Sequence, residues 1–202
     1  MVFHMEDYKT KKNFWRIKIG GNVMVYVHLA NGFEEIEAVT ILDVLRRGGI
    51  QASFVSMEKE KLVRGAHGIL IEADITFEKA DYASCNMIVL PGGMPGTKHL
   101  AENEELLTKI KEFYKQGKYL AAVCAAPMVF GAANILNGRN ATIYPGMEAY
   151  LKGAKVSTNK VVADGNIITS RGPGTSMEFA LTIVEILEGQ TVSDKLRKDL
   201  VI

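Results

Sequence analysis

Tyr119-Leu-Ala-Ala-Val-Cys-Ala-Ala-Pro127 is the stretch that decides the fold. Its first five residues form an unbroken apolar run, which reads as a strand buried on both faces. Such strands belong to parallel sheets covered by helices. Pro127 suits the first position of a helix, where its missing N–H leaves no hydrogen bond unmade. Cys124 therefore falls at a strand-to-helix elbow. Free backbone N–H groups and the helix dipole favour an anion there, so this thiol is expected to ionise more readily than a free one. The competing reading is a small buried hydrophobe, the usual fate of a free cysteine. Taken alone, the stretch weighs the two evenly.

Outward from it the same alternation continues. Residues 23–29 are a β-branched apolar run and read as a buried strand. After Asn31-Gly32, residues 33–49 have helical spacing, with Ile36, Val39, Val44 and Leu45 near one inward face. Acids open that helix, and arginines followed by glycines close it. Residues 51–57 form a second strand and 62–74 a small hairpin or edge excursion. A third buried strand, 86–90, ends in Pro91-Gly-Gly-Met-Pro-Gly96. Residues 100–116 read as one helix with Leu106, Leu107, Ile110 and Phe113 inward. Strand 118–123 precedes helix 127–135, and 140–144 is short and extended. Residues 161–170 form a hairpin through Asp164-Gly165, and 176–187 the last long helix before a polar tail. Strands alternating with helices predict an α/β three-layer sandwich around a mainly parallel sheet. Ligands of such sheets bind beyond the carboxyl ends of the strands. Gly32–Glu37, Leu90–Gly96 and Cys124 all map to those ends.

Residues 1–22 are mixed and basic without a clean period, and are expected to be an extension outside the core. Residues 23–202 then make a single domain. With 202 residues and 48% hydrophobic content, one full core is expected. The 24 basic and 23 acidic residues give a net charge of +1, which points to neither a nucleic-acid nor a membrane partner. Two cysteines, Cys85 and Cys124, make no disulfide framework. No run approaches a membrane span, and no secretory signal opens the chain. A reducing cytoplasm is the expected compartment.

Candidate chemistry narrows quickly. The histidines His4, His28, His67 and His99 are scattered without ligand spacing, so no metal is expected. Neither Gly92-Gly93-Met-Pro-Gly96 nor Gly172-Pro-Gly174 completes a nucleotide-binding pattern; both read as tight turns whose backbone N–H groups can approach an anion. No histidine follows Cys124, which argues against a hydrolytic triad. The partner left is a carboxylate among Glu34, Glu35 and Glu37. A buried carboxyl tends to keep its proton, and could donate to a thiolate or shuttle a proton.

Gly32-Phe-Glu-Glu-Ile-Glu37, Leu90-Pro-Gly-Gly93, Ala122-Val-Cys-Ala-Ala-Pro127 and Ser170-Arg-Gly-Pro-Gly-Thr175 occur in order. Together they resemble the ThiJ/PfpI family, in the branch of the Parkinsonism-associated deglycase and its bacterial ThiJ-like relatives. The likeness runs from about Met24 to about Gly189. It implies a flavodoxin-like fold, a homodimer and no cofactor. It also implies that Cys124 is the reactive, oxidisable cysteine and Glu37 the protonated carboxyl bonded to its sulfur. Gly93 and Ala125 would offer N–H groups to an oxyanion, with Gly92, Arg47, Ser170 and Pro173 around the pocket or dimer face.

Two departures stand out. Tyr144 occupies the place of a family histidine, and a tyrosine is a poor base near neutral pH; Asp43, matching a position that supports that histidine, loses its supposed partner. His67 replaces a frequent arginine. Ala125 rules out the local arrangement of the PfpI peptidases, which have histidine directly after the cysteine. The implied activity is cofactor-independent turnover of small reactive carbonyls, glyoxalase or deglycase in type. The alternative is a redox sensor or chaperone in which Cys124 is oxidised without turnover. A thiamine or thiazole role has no specific support in the residues.

Overall fold

The computed structural model describes residues 23–202. The expected extension, with Trp15 and His4, lies outside the described residues. Strand β1 (Met24–Leu29) leads into α1 (Glu35–Arg47) and then β2 (Gln51–Ser56). The hairpin β3 (Leu62–Arg64) and β4 (Leu70–Glu72) follows, then the short edge strand β5 (Ile75–Thr76) and β6 (Met87–Leu90). Helices α2 (Gly96–Glu102) and α3 (Glu104–Gln116) precede β7 (Tyr119–Val123) and α4 (Pro127–Ala132). The chain closes with β8 (Asn140–Ala141), β9 (Lys155–Val156), β10 (Val161–Asp164), β11 (Ile167–Ser170), α5 (Ser176–Glu188) and α6 (Gln190–Asp199). The main sheet has seven strands in the order β10-β11-β7-β6-β1-β2-β5. Every pairing is parallel except β10 with β11.

The continuous apolar runs are explained by two separate cores. Val25, Val27, Leu29, Met87, Val89, Tyr119, Ala121 and Val123 point to the side covered by α1 and α5. Tyr26, Ile88, Leu90, Leu120 and Ala122 point to the side covered by α3 and α4. Side chains alternate along a strand, so a strand with a core on each face must be apolar at every position. The result is the three-layer α/β sandwich that the residues predict, of the flavodoxin-like kind that the resemblance implies.

Three local expectations are corrected. On α1 the buried face is Glu37, Ala38, Ile41, Val44 and Leu45, whereas Ile36 and Val39 are 59% and 48% exposed. The stripe at 37, 38, 41, 44 and 45 satisfies the helical period; a glutamate at its head disguises it. The single helix expected at 100–116 is two. Asn103 ends α2 and caps α3, its Oδ1 accepting the Leu106 N–H at 2.8 Å, the service an Asn N-cap provides. The polar tail is helix α6, docked through buried Leu196 and by Ser193 donating to the Leu181 carbonyl at 3.1 Å. Gly189, at φ +96°, makes the break before it, a conformation that favours glycine. The hairpins at 62–74 and 161–170 form as expected. No helix of the described residues is long and apolar enough to cross a membrane.

Candidate active site

Because β1, β6, β7 and β11 run parallel, their carboxyl ends open on the same edge of the sheet. The loop after β1 delivers Glu37, the loop after β6 delivers Gly92 and Gly93, β7 ends at Cys124, and β11 ends at Ser170. Cys124 adopts φ +61°, which is strained for a non-glycine residue; such strain concentrates at functional elbows. Its N–H donates to the Ser170 carbonyl at 3.0 Å, and its own carbonyl accepts the Tyr144 N–H at 2.8 Å. The elbow is thus held from both neighbouring segments, independently of the sulfur.

Glu37 lies in the first turn of α1 and is fully buried. Glu34 caps the helix, its Oε2 accepting the Glu37 N–H at 2.7 Å. Glu37 Oε2 accepts the Gly92 N–H at 2.6 Å. Its Oε1 is buried with no hydrogen-bond partner among the described residues. Gly92 fits between carboxyl and thiol: a Cβ there would lie 2.7 Å from Cys124 Cβ and 2.9 Å from Glu37 Oε2. Gly92 therefore has to be glycine for the two groups to meet.

Burial pushes the Glu37 carboxyl up to about 7, against the lowering pull of the Gly92 N–H and the Cys124 thiol. The expected easy ionisation of Cys124 is not what the environment gives. Burial, followed by the facing Glu37 charge, pushes the thiol up to about 12, outweighing the Ala125 and Gly93 N–H groups that favour the anion. A thiolate and a carboxylate in contact repel, so the pair keeps a proton through neutral pH. The sulfur is released as an anion only while Glu37 holds that proton.

This placement has a consequence for stability. The folded Glu37 titrates above its ordinary value of 4.5. Its contribution is therefore full below pH 4.5 and is lost as pH rises through 7, about 3 kcal/mol in all. Fully buried His28 has the opposite sign. Burial lowers it from 6.5 to about 4, so its contribution is present above pH 6.5 and is lost as pH falls through 4. Glu37→Gln should remove the first effect and leave the second. In urea unfolding between pH 4 and 8, the variant should gain on wild type as pH rises, by about 3 kcal/mol at pH 8. A gap that stays constant with pH contradicts the assignment.

The other expected residues sort clearly. Ser170 Oγ donates to the Lys160 carbonyl and meets Thr175 Oγ1, each at 2.7 Å, so it braces the turn Pro173–Thr175. Tyr144 stands beside that turn, 3.4 Å from where a Gly172 Cβ would be, and is half exposed. Arg47 is not brought to the thiol by this chain's fold. It lies ten residues, about 15 Å, along α1 from Glu37, and its Nε donates to Asp43 at 2.6 Å. Asp43 therefore has Arg47 as partner. One contact was missed entirely: the His67 N–H and Nδ1 both donate to buried Glu35, each at 2.7 Å, tying the β3–β4 turn to the start of α1. Glu34, Glu35 and His67 bring potential metal-ligand atoms within 4.8 Å of one another, although Glu35 already takes both His67 donors.

A cysteine at positive φ between a buried strand and a helix, faced by a buried carboxyl and two backbone N–H groups, defines an α/β protein with a nucleophile-elbow thiol. The chain belongs to the DJ-1/PfpI family, whose model matches residues 23–186. It is 37% identical over 179 residues to Protein DJ-1 homolog B of Arabidopsis thaliana, a match covering 88% of this chain and 41% of that protein. The chain thus spans under half the length of the two Arabidopsis relatives it matches. It is also 37% identical over 168 residues to the Caenorhabditis elegans protein named glutathione-independent glyoxalase DJR-1.2, covering 83% of this chain and 89% of that one. Among solved structures, that of oxidized Toxoplasma gondii DJ-1 matches with a TM-score of 0.85 at 33% identity, over 89% of this chain and 98% of the other.

Proposed function

We propose that this protein is a cofactor-independent enzyme acting on small reactive carbonyls, of glyoxalase or deglycase type, with Cys124 as nucleophile and Glu37 as proton shuttle. The observation that carries the reading is the buried Glu37 carboxyl, raised to about 7 and adjoining the thiol across Gly92. With methylglyoxal, the sulfur adds to the aldehyde carbon and a C–S bond forms, giving a hemithioacetal. Gly93 and Ala125 N–H groups receive the developing oxyanion. Glu37 passes the proton it holds to that oxygen; its carboxylate then takes the proton from that carbon and returns it to the neighbouring carbonyl carbon, while the hydroxyl proton moves to the neighbouring oxygen, leaving a thioester. Water cleaves the C–S bond and releases lactate and the free thiol. Electrons are only redistributed within the substrate, so the balance needs no oxidant or reductant. The C. elegans relative named as a glyoxalase supports the same direction.

In this reading Gly92, Tyr144, Ser170 and Pro173 shape the pocket, and residues 1–22 stay outside the domain. A cytoplasmic homodimer fits best, with a small aldehyde or glycated amine as substrate and neither nucleic acid nor membrane as partner. The dimer is supported by exposed Ile36 and Val39 on α1, beside a hairpin that exposes Ile69 and Leu70; Arg47 would act at that face. Sedimentation at the mass of one chain would remove this part. The chemistry is tested by Glu37→Gln, which should form lactate from methylglyoxal at least about 100-fold more slowly; an unchanged rate rejects Glu37 as the shuttle.

A second reading, redox sensing, has its own observation. Cys124 is partly exposed, whereas Cys85 is fully buried and donates to the Met87 carbonyl at 3.2 Å. Two equivalents of peroxide would convert the Cys124 thiol to a sulfinic acid and release two waters. Mass spectrometry after mild peroxide should find two added oxygens on Cys124 before any on Cys85; equal or reversed labelling counts against it.

A further inference from the structure

Next to the thiol, but separate from it, the loop after β1, the β3–β4 turn, the loop after β6 and the start of α2 line an open pocket of about 350 Å³. Asn31, Arg64 and His99 supply its polar wall, and Ala66, Met94 and Pro95 an apolar one. None of the cysteine chemistry uses these three polar side chains. We propose that this cavity binds the carboxylate or phosphate group of a small molecule, held by Asn31, Arg64 and His99.

The donor inventory carries the proposal. Arg64 Nη1 donates to the Gly68 carbonyl at 3.3 Å, and the remaining guanidinium hydrogens have no hydrogen-bond acceptor among the described residues. Asn31 Oδ1 accepts the Arg64 N–H at 2.9 Å, which leaves the amide NH₂ without a partner there. His99 Nδ1 donates to the Asn31 carbonyl at 3.2 Å, leaving Nε2 without a partner, a nitrogen that donates to an anion in the imidazolium form. No carboxylate lines the cavity; Glu58, bonded to the same loop, accepts the Asn31 N–H at 3.0 Å. A guanidinium beside an unpartnered amide and imidazole, with no acid in the wall, suits an oxyanion, which can accept from several donors at once.

The cradle is also pre-formed. Gly32 N–H donates to the Arg64 carbonyl and Ala66 N–H to the Phe33 carbonyl, each at 2.8 Å, and Gly96 N–H reaches the Gly32 carbonyl at 3.2 Å. Gly32 sits at φ +89°, and a Cβ there would meet Pro95 Cδ at 2.5 Å. Backbone bonds thus fix the segments that carry the donors before any ligand arrives, which lowers the ordering penalty of binding. Gly92 adjoins Cys124, and Met94 and Pro95, two and three residues on, form the cavity wall. The two places are therefore separated by at most about 10 Å of chain. Joined to the carbonyl chemistry proposed above, this favours substrates with an anionic group a few bonds from the reactive carbon. Binding of the anion itself does not depend on that chemistry.

Backbone ¹H–¹⁵N spectra of the wild-type protein, titrated separately with inorganic phosphate and with acetate, test the site. Sodium chloride at equal ionic strength is the reference. Saturable shifts of the Gly32, Gly65 and Ala66 N–H signals are expected with at least one of the two, and the anion that saturates identifies the group recognised. Arg64→Gln, at an exposed position, should weaken that binding at least about tenfold. Shifts that never saturate, that match those in chloride, or that are undiminished in Arg64→Gln overturn the proposal.

Discussion

Cys124→Ser should lower lactate formation from methylglyoxal by at least about 10³-fold, or about 4 kcal/mol of barrier, without disturbing the fold. A serine hydroxyl is far less acidic than a thiol and needs a base close by. Among the described residues the histidines are engaged elsewhere. His28 is bonded to Tyr82 at 2.6 Å, His67 to Glu35, and His99 to the Asn31 carbonyl. Glu37 alone is a weak base for so poor an acid. The fold should survive because the elbow's backbone bonds to Ser170 and Tyr144 do not involve the side chain. Circular dichroism and urea midpoints should match wild type while turnover vanishes. Equal turnover by the serine variant would make the nucleophile assignment wrong.

A large stability effect is expected at a glycine rather than in either core. Gly93 has φ +90°, and a Cβ there would overlap the Glu34 backbone nitrogen and lie 2.6 Å from the Gly32 carbonyl oxygen. Backbone cannot swing aside as a flexible side chain can. Gly93→Ala must force apart the loops after β1 and β6, breaking the 2.9 Å bond from the Glu34 N–H to the Gly92 carbonyl. Overlap and left-handed strain together should remove at least about 3 kcal/mol in urea unfolding. Those loops also carry Glu37 and Gly92, so lactate formation should fall too. Gly174→Ala is the control, since a Cβ there meets nothing within 4 Å. Indistinguishable unfolding of the two variants would contradict this packing.

Much of this architecture is legible in the chain because each strand carries its own evidence. A parallel strand between two cores has to be apolar throughout, as 119–123 and 87–90 are, and Pro127 marks the following helix start. What escapes the reading is decided by contacts distant in sequence. Glu37 occupies the buried stripe of α1, so the period at 37, 38, 41, 44 and 45 is hidden behind a charge, and Ile36 and Val39 look like core. Asn103 splits one amphipathic run in two by local capping, a signal present in Asn103-Glu-Glu-Leu106 but masked by continuous helical spacing. Cys124 and the acid that faces it, Glu37, are visible as residue types. Their proton balance is not, because it depends on burial: an elbow by itself predicts a low thiol pKa, whereas desolvation and the Glu37 charge reverse it. The Glu35–His67 tie is equally invisible, joining residues 32 apart.

In the proposed mechanism Cys124 and Glu37 share one proton, and Glu37 must move it for turnover. Iodoacetamide alkylation of Cys124 and lactate formation from methylglyoxal, measured at pH 8 on wild type and Glu37→Gln, test it together. Glutamine removes the charge that raises the thiol and cannot shuttle a proton, so alkylation should speed up while lactate formation falls at least about 100-fold. If both rates fall together, or neither changes, the two residues do not form the pair described.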